Sequence, residues 1–152
     1  MKSLVAGIGS TIRGDDGVCV HDAKQLKTRS LPDDVDVIEL RTAGLALLDL
    51  VEGYERLILL DAIVTGALAG TVHVLTGEKA ARAVHLGAGH EADLPTTLSL
   101  GRKLMGSHIP QKVAVVAVEA GDLTTFSEHL TPEVEASIPD VIVRVERLLE
   151  TG

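Results

Sequence analysis

At 152 residues, with 45% apolar against 24% charged side chains, the chain has the size and composition of one globular domain with a full core, expected to span residues 1–152. One Tyr, one Phe and no Trp, together with a net charge of −8, exclude both an aromatic stacking platform and an electrostatic attraction for nucleic acid, and favour a cation or a basic partner. Cys19 is the sole cysteine, so an intrachain disulfide and a thiolate metal cage are ruled out; the start carries no signal-peptide pattern and no apolar run is long enough for a bilayer, so no membrane association and a cytoplasmic location are expected.

Short apolar runs alternate with helix-period segments, the pattern of an α/β fold with a mainly parallel sheet. Leu4 to Ile8 reads as the first strand, running through glycines into a helix expected from about Asp16 to Thr28. A second strand, Val35 to Leu40, follows the turn "LPDD" and precedes a short helix from Ala43 to Val51. Arg56 to Ala62, "RLILLDA", is almost unbroken in apolar character and marks a central strand covered on both faces. Gly70 to Thr76 reads as an edge strand, because His73 interrupts its apolar set.

A loop through "HLGAGHEAD" leads to a helix expected from about Leu94 to Met105, and then to a last buried strand, Lys112 to Val118. Near the C-terminus, Thr131 is an N-cap, Pro132 a first helical residue, and Glu133 and Glu135 favour the positive helix end. Pro139 should kink that helix or split it in two. The sum is a three-layer α/β/α sandwich around a sheet of about five strands, mainly parallel with an antiparallel edge strand.

Ligands of such sheets bind beyond the carboxyl ends of the strands, where the topology reverses. That rule selects the residues after Ile8, Leu60 and Val118, and all of them are acids: Asp15 and Asp16, then Asp61, then Glu119. Carboxylates gathered in one crevice repel one another and lose solvation, so they either take up protons or hold a cation. His90, flanked by glycines in "GAGHEAD", can reach the same mouth. Two carboxylates and one imidazole suit Zn, Ni, Mn or Fe, with positions left open for substrate or water.

Blander roles compete. Asp15 or Asp16 can simply cap the first helix. Cys19 falls in register with Ala23 and Leu26 and reads as a small core residue, whereas His21 and Asp22 lie on the opposite helix face and are expected at the surface. Asp61 has no propensity reason to close the run "LILLD". Several familiar signatures fail: Ile12 stands where a dinucleotide fingerprint needs Gly, the Asp pair opposes the Lys of a phosphate loop, and Leu94 replaces the second His of a zincin. Ser10 also lacks the flanking glycines of a nucleophile elbow.

The glycine-rich opening "GIGSTIRGDDGVCV" resembles that of the NiFe-hydrogenase maturation endopeptidases, a strand followed by Gly-x-Gly-Asn and then Asp-Asp/Glu-Gly-x-Gly. The same family has a Thr-Ala-Gly, matched by Thr42-Ala43-Gly44, and an Asp-Ala ending its central strand, matched in "LLDAIV". "GHEADLPTTLSLGRKL" resembles its loop histidine before a Leu-Pro helix start, and "LTPEVEASIP" its closing helix. The resemblance runs from about Leu4 to Leu149. Ser10 replaces the usual Asn, and Cys19 the second Gly.

The resemblance implies an aspartic-type, metal-assisted endopeptidase that removes a short C-terminal extension from a hydrogenase large-subunit precursor after nickel insertion. It carries the metal-binding positions onto Asp16, Asp61 and His90, with Asp16 and Asp61 as catalytic carboxylates and Asp15 and Glu119 in support. Nickel is then expected to arrive with the substrate, with Zn or Cd able to substitute. Two other readings are weighed: a nickel-binding assembly chaperone without hydrolytic activity, and a receiver-type phosphoacceptor domain. The latter needs a Lys closing its last strand, where Glu119 stands here.

Overall fold

The computed structural model describes residues 1–41, 47–77, 79–80, 101–123 and 125–151. Five strands form a single sheet: β1 (Ser3–Ile8), β2 (Val35–Leu40), β3 (Arg56–Ile63), β4 (Val72–Thr76) and β5 (Lys112–Glu119). Their order is β2-β1-β3-β5-β4, with β4 antiparallel to β5 and every other pair parallel. The antiparallel edge strand is the one His73 marked, and its half-buried residues suit an edge.

Every residue of β1 and β3 is buried, which is why both read as apolar runs without alternation. Leu57, Leu59 and Ile63 of β3 enter one core with Leu47, Val51 and Ile109, whereas Ile58, Leu60 and Ala62 enter a second core with Cys19, Leu26, Val141 and Val145. Helix α1 (Val18–Lys27) and the C-terminal helices cover that second face. Helix α2 (Leu47–Val51) covers the first, which gives the expected three layers.

Local chemistry sets the element ends. Pro139 does split the C-terminal helix, into α3 (Pro132–Glu135) and α4 (Ile138–Glu150), and it stands in the first turn of α4, where its missing N–H costs nothing. Arg56, at the start of β3, donates to the Leu148 and Thr151 carbonyls at 2.7 and 2.8 Å and so pins the end of α4. A cavity of about 280 Å³ opens around Arg56, Lys112 and Leu148 at these amino ends of the strands, remote from the acids selected above. Residues 101–105 are helical, as expected; the remainder of the helix expected from Leu94, and residues 42–46 of the expected Ala43–Val51 helix, lie outside the described residues. Among the described residues no helix is long and apolar enough to cross a membrane.

Helix α1 lies unusually close to β1 because Gly7 has no side chain. A Cβ there would stand 2.2 Å from the Cys19 carbonyl oxygen and 2.9 Å from Ala23 Cβ. Gly7→Ala must therefore lift the helix, at about 1–3 kcal/mol for overpacking. Thermal unfolding followed by circular dichroism should show a melting temperature lower by roughly 2–4 °C per kcal/mol.

Candidate active site

The chain leaves β1 through Gly9 and folds into a 3-10 turn over Gly14–Gly17, directly before α1. Gly9 allows this: a Cβ at that position would come within 1.9 Å of the Asp16 carbonyl oxygen. The Asp16 side chain folds back over the same strand end, its Oδ2 accepting a hydrogen bond from the Ser10 backbone N–H at 2.9 Å. That contact is made by the main chain, so Ser in place of Asn leaves it intact. Asp16 is 2% exposed.

Asp61 is fully buried in β3, in register with Ala117 of β5. Strand alternation puts it on the same sheet face as Leu59 and Ile63, towards α2. The Gly14–Gly17 turn that carries Asp16 lies against β3, so both acids belong to the same end of the sheet. Burial pushes the Cys19 thiol well above its ordinary value, and the charges of Asp22, Asp61 and Asp16 push it further. Cys19 is therefore a protonated core side chain, as its register indicated, and not a nucleophile.

Asp22 is a correction to the sequence reading. It is fully buried, and His21 is half-buried, where both were expected in solvent. Helix α1 packs against the sheet on one side and α4 on another, so its buried arc is wider than a single stripe and takes in position 22 beside Ala23 and Leu26. Burial raises the Asp22 carboxyl to about 8, and the Cys19 thiol three residues earlier pulls it down only in part.

The other two acids are fully engaged elsewhere. Asp15 accepts the Gly121 and Asp122 N–H groups at 2.7 and 2.8 Å on Oδ2 and the Thr131 N–H at 2.7 Å on Oδ1, and the Thr131 hydroxyl donates to both oxygens. Asp15 thereby fastens the segment between β5 and α3 to the turn that carries Asp16. Glu119 accepts the Thr65 N–H at 2.7 Å and the Thr65 hydroxyl, with His73 Nε2 3.3 Å away. Burial pushes its carboxyl up, but the two Thr65 bonds and His73 outweigh burial and hold it below its usual range. These contacts of Thr65, His73 and Thr131 had no sequence signal, since the partners are distant in the chain; Thr131 does stand at the N-cap of α3, but its hydroxyl serves Asp15 and not the helix.

His90 and the Thr42-Ala43-Gly44 motif lie outside the described residues. Among the described residues no group of three or more His, Cys, Asp or Glu side chains could hold a metal ion. The donor chemistry of two buried carboxylates at one end of the sheet, Asp16 and Asp61, is nevertheless that of hard oxygen ligands for a divalent cation. On the other side of β1 from Asp61, a cavity of about 290 Å³ opens between the ends of β1 and β2, lined by Ser10, Thr11, Ile12, Lys24, Glu39 and Arg41 among others.

A sequence model of the family described as "HycI: Hydrogenase maturation protease" matches residues 20–148. The chain belongs to the hydrogenase maturation protease family. Within that family it is 33% identical over 156 residues to the hydrogenase 2 maturation protease of Escherichia coli strain K12, covering 100% of this chain and 93% of the relative. It is 30% identical to the hydrogenase expression/formation protein HupD of Rhizobium leguminosarum bv. viciae, covering 99% of this chain and 75% of that one. The solved structure of the hydrogenase maturating endopeptidase HybD from E. coli superposes with a TM-score of 0.84 at 31% identity, over 100% of this chain and 94% of the other. The NiFe hydrogenase maturation protease HybD from Thermococcus kodakarensis shares the fold, with a TM-score of 0.78 at 19% identity over 98% and 99% of the two chains.

Two measurements test the site's electrostatics and its clamp. Asp22 titrates near 4 when unfolded and near 8 when folded, so the stability it contributes is complete below about pH 4. That contribution is lost as pH rises towards 8, by up to about 1.4 kcal/mol per pH unit. Denaturant titrations at several pH values should show Asp22→Asn gaining on the wild type across that window; parallel pH slopes would assign Asp22 an ordinary carboxyl. Asp15→Ala removes the acceptor for three backbone N–H groups at about 1 kcal/mol or more each. The urea midpoint should fall by the equivalent of roughly 3 kcal/mol, at an unchanged m-value.

Proposed function

We propose that the chain is an endopeptidase that removes a C-terminal extension from the large-subunit precursor of a nickel–iron hydrogenase once nickel is in place. The observation that supports this reading is the burial of two acids, Asp16 in the turn after β1 and Asp61 near the carboxyl end of the neighbouring strand β3, with that turn and β3 in backbone proximity. Membership of a protease family supports hydrolysis, and the site offers no nucleophilic thiol in place of water.

In this mechanism nickel belongs to the substrate. Asp16, Asp61 and His90 engage the nickel-bearing precursor and thereby orient the scissile peptide. Water attacks the carbonyl carbon as one of the two carboxylates takes its proton. The tetrahedral intermediate then collapses, the C–N bond breaks, and the proton passes to the departing amine. Burial of both acids excludes competing solvent and strengthens their fields at the reacting carbonyl. Asp15 and Glu119 act through structure, by fixing the loops on either side. Other divalent ions of similar ligand preference, Zn or Cd, should occupy the same three ligands in the absence of substrate.

Purified nickel-loaded precursor incubated with the protein should lose mass at its C-terminus, read by intact-protein mass spectrometry. Asp16→Asn and Asp61→Asn should slow that loss by roughly 10²–10⁴-fold, the usual contribution of a general base, and His90→Ala should leave the precursor uncut. Wild-type rates in any one of these variants would remove that residue from the mechanism, and an uncut precursor with the wild type would favour an assembly chaperone.

A further inference from the structure

The chain has a single phenylalanine, and it stands on the surface: Phe126 is 83% exposed. Burying an aromatic side chain stabilises a fold, so its place on the surface forgoes that gain. The one tyrosine, by contrast, packs against the core. Phe126 is not on a loose strand of chain either. Next to it, the Ser127 N–H donates to the Ile12 carbonyl at 3.0 Å and the Ser127 carbonyl accepts the Gly14 N–H at 2.9 Å, which forms a bridge between Arg13 and Ser127. The Asp122 carbonyl accepts the Asp15 N–H at 2.7 Å, and the Asp15 carboxylate holds both ends of the segment through Gly121, Asp122 and Thr131.

Ile12, whose carbonyl holds Ser127, is itself 52% exposed and lines the cavity at the ends of β1 and β2. Two apolar side chains therefore project from adjoining, firmly bonded backbones, four residues from Asp16 on one side and at the rim of a cavity on the other. The same cavity wall includes Ser10, whose N–H donates to the Asp16 carboxylate. An exposed aromatic on a rigid backbone beside a smaller apolar residue is the composition of an interface anchor.

We propose that Ile12 and Phe126 form an apolar recognition ridge that seats the hydrogenase large-subunit precursor and so determines which substrate is processed. The inference rests on the peptidase reading above. It commits to the precursor because the ridge adjoins the segment that carries Asp16: Ile12 belongs to that segment and shares a cavity wall with Ser10, whose N–H the Asp16 carboxylate accepts. The ridge contributes ground-state and transition-state binding equally, so it acts on KM and leaves kcat in place.

The test compares wild type with Phe126→Ala, Ile12→Ala and the double variant, on purified nickel-loaded large-subunit precursor. Leu104→Ala serves as the control, since Leu104 is 71% exposed next to the 3-10 turn Gly106–His108, whose His108 carbonyl accepts the Gly53 N–H ahead of β3. Phe126→Ala should raise KM by roughly tenfold or more and the double variant further, with kcat within about twofold, an unchanged melting temperature and an unaltered control. An unchanged KM would overturn the ridge, as would a loss confined to kcat. Binding is read separately by titrating the precursor against Asp16→Asn carrying each ridge substitution. No cleavage by the wild type, with precursor binding that still weakens in the ridge variants, sinks the peptidase reading alone; equal affinity in all variants sinks the ridge. Self-association of the wild type that the ridge variants abolish, with processing unaltered, would assign the ridge to a second copy of the chain and also overturn the proposal.

Discussion

Both oxygens of one carboxylate, that of Asp15, gather the amides of Gly121, Asp122 and Thr131 and the hydroxyl of Thr131 around the turn that follows β1. Without an acceptor there, the amides of Gly121, Asp122 and Thr131 would lose their partner, and only the backbone bonds at Gly14, Asp15 and Ser127 would tie the segment after β5 to the one leaving β1. A carboxylate accepting several N–H bonds offsets the cost of its own burial. The neighbouring Asp16 is thereby fixed in the backbone before any substrate binds, so its placement does not have to be organised during the reaction.

Four acids at the sheet end thus divide into two kinds. Asp15 and Glu119 are surrounded by donors from loops remote in sequence, and each ties its own segment to them. Asp16 is buried in the turn after β1 and Asp61 near the end of its parallel neighbour β3, and the charge of each raises the Cys19 thiol. Adjacent residues such as 15 and 16 can serve opposite ends in this way because a tight 3-10 turn sends successive side chains in different directions. Family membership and the superposition on E. coli HybD place this arrangement in a fold shared with proteins named as endopeptidases.

The sheet was legible because its signals are local. "RLILLDA" reads as a doubly covered strand from composition alone, His73 betrays an edge, and Pro139 forces a break where α3 gives way to α4. Asp61 was legible as an acid with no local reason to close an apolar run. The part played by Asp15 was not, since its partners are backbone amides 106 to 116 residues away and an amide has no sequence signature. Asp22 misled for a related reason: periodicity records how many faces of a helix are apolar, not how many neighbours press on it, and α4 covers the side the sequence leaves open.

The buried Cys19 has one more consequence. A thiol coordinates soft cations only after losing its proton, and here burial and three surrounding acids oppose that loss. The one sulfhydryl of the molecule is thereby withheld from thiophilic ions that pass within reach of Asp16 and Asp61. On the proposed reading, a nickel-bearing substrate would then face oxygen ligands without competition from sulfur.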